Sequence, residues 1–197
     1  MNLAWYAVFF GTLVWSGIGP RDRFIWLLEV APALIAFVLI IATRRRFPLT
    51  PLALWLVLVH AVILMIGGHY TYAEVPLFDR LRELTGGDRN NYDKVGHFAQ
   101  GFIPAIVCRE ILLRLNVVNG RRWLAFITVS ICLAASAFYE LIEWWTAVLT
   151  GEAAEAFLGT QGYAWDTQSD MAFCSAGAVL ALLLLTRVHD RQLGRLD

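Results

Sequence analysis

The sequence is short of charge. Only 16% of its 197 residues are Asp, Glu, Lys or Arg, against about 25% in soluble domains. Its 16 basic residues cancel its 16 acidic ones, so the formal net charge is zero. That balance excludes bulk attraction to nucleic acid. No basic stripe or zinc-finger spacing restores it, so no nucleic-acid partner is expected. Cysteine is scarce too. Cys108, Cys132 and Cys174 each lie inside an apolar run and none forms a CxxC pair, which argues against a disulfide framework or a structural zinc site and for buried thiols. The N-terminus has neither a charged n-region nor an A-x-A-like site, so residues 1–18 are expected as a retained helix and not a signal peptide. There is no internal repeat or low-complexity tract, and the length favours a single integral membrane domain over residues 1–197.

What fills the chain is apolar. The hydrophobic set makes up 58% of it, above the usual 45–50%, and the mean hydropathy is +0.59. Crossing a bilayer takes about 20 mostly apolar residues as helix. Six runs fit, at 3–19, 25–42, 49–68, 96–115, 123–149 and 171–185, the first and last of them short. The expected fold is therefore all-α, a polytopic membrane protein of six transmembrane helices. Pro51 suits a first helical turn, and Pro32 and Pro104 fall inside spans, where neighbours can satisfy a freed carbonyl.

Arginine placement sets the expected orientation. Arg44, Arg45 and Arg46 end the second run, Arg114, Arg121 and Arg122 separate the fourth from the fifth, and Arg187, Arg191 and Arg195 follow the sixth. With six spans all three clusters share one side, which makes both termini cytoplasmic. Adding Arg109, that side holds ten arginines against three acids, Glu110, Asp190 and Asp197; the outer side then holds six basic residues against thirteen acidic ones. Topology requires the inner excess but not the outer one. Two long connections face outward, 69–95, with Tyr70, Tyr72, Glu74 and a charged stretch from Asp79 to Asp88, and 150–170. Both exceed a typical helix–helix link and are candidates for function.

Ionisable groups in or beside spans are costly and mark function. Asp93 and His97 are four apart at the start of the fourth run, with Gln100 extending their face; Glu140 and Glu143 are three apart near the outer end of the fifth; Asp166 and Asp170 are four apart before the sixth. Asp93 and Asp166 also suit helix caps, and Thr167-x-x-Asp170 fits a capping box. Glu140 and Glu143 resist such a reading, because they follow an apolar stretch and precede Trp144-Trp145. Two carboxylates so placed need a cation, a proton or a hydrogen-bonded partner. His69 follows Gly67-Gly68 at the outer end of the third run. His60, mid-span, reads as a helix–helix hydrogen bond, and His189 as a solvated tail residue. Glu29 either joins the outer cluster or pairs with Arg21 or Arg23, while snorkelling or pairing accounts for Arg109 and Glu110. Two histidines and several carboxylates at one depth form a ligand set for a divalent metal ion, with Zn, Mn, Mg and Ca undistinguished, and the same groups suit acid–base work.

Three segments together, Tyr92-Asp93-Lys94-Val95-Gly96-His97, Phe138-Tyr139-Glu140-Leu141-Ile142-Glu143 and Trp165-Asp166-Thr167-Gln168-Ser169-Asp170 with Gly177, resemble the YjdF family of small bacterial inner-membrane proteins of unknown function. The resemblance covers most of the chain, including Gly68 to Pro76. More distantly the chain resembles the VanZ-like group, associated with glycopeptide-antibiotic resistance, through D-K-x-x-H at Asp93, Lys94 and His97, an acidic span at Glu140, and D-x-x-x-D at Asp166 and Asp170. Glu143 stands where that pattern often has Gln, and its later Asn is missing. The resemblance implies a multi-pass bacterial inner-membrane protein with an outer site, and no settled reaction.

Two functional classes follow. In the first, the protein is a hydrolase or transferase acting on a lipid or a lipid-linked cell-envelope substrate. Its metal ligands are His97, Glu140, Glu143, Asp166 and Asp170; His69 or Asp93 shuttles the proton, Lys94 offsets anionic charge, and Tyr70 and Tyr72 position a head group. Neither a GxSxH-type serine protease motif nor an Arg-rich histidine phosphatase motif is present. In the second, the acidic cluster serves cation- or proton-coupled transport or binding, although carriers place substrates nearer the midplane. A purely stabilising interhelical network is the remaining reading. Membrane lipids are the expected partners.

Overall fold

Apolar runs become helices because a backbone in hydrocarbon must satisfy its hydrogen bonds within its own segment. A computed structural model of the protein describes residues 1–150, apart from the Thr150 side chain, and 160–195. The middle of the 150–170 connection and Asp197 lie outside the described residues. Those described form seven helices: α1 (Leu3–Gly17), α2 (Arg23–Thr43), α3 (Pro51–His69), α4 (Pro76–Thr85), α5 (Tyr92–Arg114), α6 (Arg121–Thr150) and α7 (Asp166–Leu193). Side-chain caps start the first three. Asn2 accepts from the Trp5 amide at 3.0 Å, Asp22 from Phe24 and Ile25, and Thr50 from Ala53, just before Pro51 at the first helical position.

The protein is a polytopic all-α membrane protein, and the described residues hold four helices, α2, α3, α6 and α7, long and apolar enough to cross a bilayer. The expected count of six is larger for two physical reasons. At 15 residues, α1 spans roughly 22 Å at 1.5 Å per residue, short of a hydrocarbon core of about 30 Å. By contrast α5 has the length, 23 residues, but carries Asp93, Lys94, Arg109, Glu110 and Arg114. It tolerates them because α3, α6 and α7 pack around it, so its polar groups face protein instead of lipid. Within the 69–95 connection lies α4, ended by Gly86 at φ 66° and exposing Leu77, Leu81 and Leu84.

The closest helix pair is α5 against α7. A Cβ on Gly101 would overlap the Cys174 carbonyl, and one on Gly177 would overlap that of Phe98. Ala105, Cys174, Ala178 and Ala181 continue this small-residue seam and are buried. All three cysteines are free, with Cys132 and Cys174 buried. A second core joins α1 to α2 and α3 through Trp5, Phe9, Val30 and Met65, where the Trp5 indole donates to the Leu54 carbonyl at 2.9 Å.

His189 corrects the solvated-tail reading. Helix α7 continues well past residue 185, and His189 is fully buried on it. Its Nδ1 accepts from Arg109 at 3.0 Å, which leaves Nε2–H to donate to Glu110 at 3.1 Å. Glu110 also accepts from the Thr50 amide and hydroxyl and from Arg114 at 2.9 Å, and Arg109 pairs with Asp190 at 2.5 Å. This satisfied network pins the start of α3 to the far ends of α5 and α7.

Candidate functional site

At the opposite end of α5, the chain's one lysine, Lys94, is 9% exposed and faces three aspartates. Its Nζ lies 2.6 Å from Asp166, 2.7 Å from Asp170 and 3.4 Å from Asp93. Arg89 adds a bond to Asp166 at 2.5 Å and another to Asp93. These pairings overturn the capping readings. The residues at the cap positions of α5 and α7 are Asn91 and Trp165, neither of which makes a side-chain cap bond. Asp93 does take the Lys94 amide at 2.8 Å, but Asp166 and Asp170 are drawn to the cations, because a carboxylate out of water gains more from a full opposite charge than from an amide dipole.

Arg89 is held by a buried turn. Asn90, fully buried, donates to the Val75 carbonyl at 3.0 Å and to Asp79 at 3.1 Å. Its backbone N–H and C=O exchange bonds with the Gln161 side chain at 2.9 and 2.8 Å. Tyr72 enters from the turn after α3, where Thr71 and Tyr72 have φ of 55° and 56°. Its ring fills the space over Gly67 and Gly96, where any Cβ would collide with it. Burial, then the charge of Glu29, holds the Tyr72 phenol well above its ordinary pKa, so it stays a hydrogen-bond donor.

His97 points the other way. Its Nδ1 donates to Gln100 Oε1 at 3.1 Å, which aims the Nε2 lone pair at Glu140 Oε1 and Asp170 Oδ1, each 3.8 Å away. Donor atoms of His97, Glu140 and Asp170 all lie within 4.8 Å of one another. Glu140 is 9% exposed, and its Oε1 has no hydrogen-bond partner. Asp170 Oδ1 already holds Lys94 Nζ at 2.7 Å, so the unsatisfied atom of the three is Glu140 Oε1, which a proton or a cation shared with His97 would satisfy. Ligands about 2.1 Å from a tetrahedral ion sit about 3.4 Å apart, so little contraction would close the site. A second acidic group, Asp93, Asp166 and Asp170, is already neutralised by Lys94 and Arg89.

Beside these groups lies a cavity of about 140 Å³ lined from five helices and the Tyr72 turn: Glu29 and Pro32 of α2, His60 and Leu64 of α3, Asp93, Gly96, His97 and Gln100 of α5, Tyr139 and Glu143 of α6, and Asp166 and Asp170 of α7. Glu29 belongs here, accepting from the Tyr139 hydroxyl at 2.9 Å, whereas Arg21 pairs with Glu74 at 3.0 Å. His60 corrects the helix–helix hydrogen-bond reading, since its Nε2 has no partner. Of the nine residues expected in the site, Tyr72, Asp93, His97, Glu143, Asp166 and Asp170 line the cavity, while Lys94 contacts the lining residues Asp166 and Asp170 and Glu140 faces His97. His69 is placed apart: its Nδ1 bonds the Ser16 carbonyl at 2.9 Å and its ring lies 4.7 Å from Trp15, tying α3 to α1. The five expected ligands also divide. His97, Glu140 and Asp170 converge, Asp166 is taken by cations, and Glu143 belongs to no converging set among the described residues. Arg89 and Tyr139 were missed. The spacing of Arg89, four residues before Asp93, was the available signal for the first; nothing in the sequence marks Tyr139 beyond its place next to Glu140.

Residues 1–191 match a family described as "Predicted membrane protein (DUF2238)". The chain is 52% identical to a protein named inner membrane protein YjdF from Escherichia coli, over 93% of this chain and 88% of that one. No solved structure matches.

Proposed function

The chain belongs to the DUF2238 family of membrane proteins, and from that premise we propose that it is a single-domain, multi-pass protein of the bacterial inner membrane whose outer cavity hydrolyses or transfers a group on a lipid or lipid-linked envelope substrate with a divalent metal ion. In this reading α1 and α5 complete six spans, and both termini are cytoplasmic, as the arginine clusters require. The observation that carries it is the convergence of His97 Nε2, Glu140 Oε1 and Asp170 Oδ1, with Glu140 Oε1 otherwise unpartnered. An imidazole among carboxylates suits Zn or Mn better than Mg or Ca.

A metal ion held by His97, Glu140 and Asp170 would supply Lewis-acid polarisation of a phosphoryl or acyl oxygen. The chain's own groups do the rest. Gln100 fixes the His97 tautomer, and Lys94 holds Asp170 in place through the same Oδ1 that faces His97. Asp93 is the acid–base candidate inside the cavity, with the protonated Tyr72 phenol as a donor to substrate oxygen. His69 keeps its outer position but acts on the site only by bracing α3.

The test is elemental analysis of protein purified without chelators, alongside His97→Ala, Glu140→Gln and Asp170→Asn. Stoichiometric divalent metal in wild type and its loss in all three variants is expected. A metal-free wild type whose melting temperature ignores added Zn or Mn would sink the metal reading. The transport alternative draws support from His60 and Pro32, mid-helix residues that line the cavity; cation-dependent uptake into proteoliposomes would establish it instead.

A further inference from the structure

The cavity has a second acidic end that the metal reading does not use. Glu143 is 7% exposed and lines the cavity, and no hydrogen bond or ion pair reaches its carboxylate among the described residues. Glu29, 6% exposed, receives only the Tyr139 hydroxyl among the described residues. Lys94 and Arg89 are committed to the three aspartates. Two buried carboxylates without a counter-charge are satisfied either by taking up protons or by a cation entering the cavity, and a cation that binds there displaces those protons. A metal is a poor candidate at this end. Among the described residues neither Glu29 nor Glu143 belongs to a group of three His, Cys, Asp or Glu donors lying within 4.8 Å of one another, and hard ions seek about six oxygens.

The other walls point to an organic cation. Tyr72, Tyr139, Leu64 and Pro32 supply aromatic and apolar surface, and tyrosine faces attract alkylammonium groups. His60 Nε2, without a hydrogen-bond partner, offers one more polar contact. The volume of about 140 Å³ is close to that of an engineered 150 Å³ cavity able to hold benzene, which leaves room for an aminoethyl group. We infer that Glu29 and Glu143, with Tyr72 and Tyr139 lining the same cavity, bind an ammonium group of the substrate. This names the substrate chemistry of the proposed site; it rests on that reading in taking the cavity as the substrate's, and it needs no metal.

The experiment uses the full chain in phosphatidylglycerol nanodiscs, titrated with ethylammonium chloride while thermal unfolding is followed. Sodium chloride at equal ionic strength and ethanol are the controls. A saturable rise in melting temperature with ethylammonium alone is expected, weakened at least tenfold in apparent affinity by Glu143→Gln and by Glu29→Gln. Glu140→Gln should lose metal yet keep the ethylammonium response, which separates this inference from the metal reading. Phosphatidylethanolamine nanodiscs identify the source of the ammonium. A raised melting temperature with no further ethylammonium response assigns it to a lipid head group, and an unchanged response assigns it to a soluble amine. The inference is overturned if ethanol or sodium chloride matches ethylammonium, if ethylammonium has no effect, or if both Gln variants respond like wild type. Should the variants not fold, the wild-type comparison with the two controls decides alone.

Discussion

Lys94→Met tests whether the acidic cluster at the start of α5 is organised by its one lysine. Methionine keeps most of the length and volume of the stem but removes a charge that lies 2.6 Å from Asp166, 2.7 Å from Asp170 and 3.4 Å from Asp93. Breaking a buried ion pair from one side costs about 3–5 kcal/mol, because the abandoned charge stays out of water. Arg89 still serves Asp93 and Asp166, so the loss falls mainly on Asp170 and belongs at the lower end, about 3 kcal/mol. For a chain of this size each kcal/mol moves the melting temperature by about 2–4 °C, which gives a drop of about 6–12 °C. The assay is thermal unfolding in one detergent with EDTA present, so that no metal contributes. Lys94→Met/Asp170→Asn should recover about 1–2 kcal/mol, since removing both charges leaves no orphan, and the double-mutant cycle reads that coupling directly. A Lys94→Met protein within about 1 kcal/mol of wild type, or a cycle with no coupling, would refute the reasoning.

The other expectations concern packing and the two polar networks. Gly101→Val puts a branched side chain where the Cys174 carbonyl lies and should destabilise by about 1–3 kcal/mol or more; unchanged unfolding would mean that α5 and α7 do not approach so closely. His189→Ala strips partners from buried Glu110 and Arg109 and should lower stability by about 1–3 kcal/mol, while metal content stays at the wild-type level. A loss of metal in that variant would show the two ends of α5 to be coupled. Tyr139→Phe removes the one hydrogen bond that reaches the Glu29 side chain among the described residues, a bond worth about 0.5–1.5 kcal/mol. The variant should unfold earlier in detergent; an unchanged melting curve would say that Glu29 is already satisfied by something else.

Much of the site was legible because helical spacing is local. Asp93 with His97, Glu140 with Glu143, and Asp166 with Asp170 each share a helix, so residue numbers alone place each pair on one face. Which member of each pair meets which partner was not legible. Asp170 reaches both Lys94 and the vicinity of His97, while Asp166 reaches Lys94 and Arg89. That division depends on the rotation of α7 against α5, set by the Gly101 and Gly177 contacts. His189 shows the same limit from the other side. In sequence it sits among Arg187, Asp190 and Arg191 like a solvated residue, yet α7 continues and turns it onto Glu110.

Composition and apolar runs by themselves determined that this is an all-helical membrane chain with a surplus of acids off its arginine-rich side, because the cost of polar groups in hydrocarbon acts on each segment separately. The number of helices exposed to lipid was a different matter. The polar load of α5 is tolerable only because other helices cover it, and coverage is a property of the assembled bundle. The same holds for the site. Sequence assembled the carboxylates at one end, but packing decided that three of them would be neutralised by Lys94 and Arg89, that Glu140 would be left facing His97, and that Glu143 would be left facing an open cavity. Whether a buried charge is a strut or a binding group depends on its neighbours across helices, and those neighbours lie dozens of residues away in the chain.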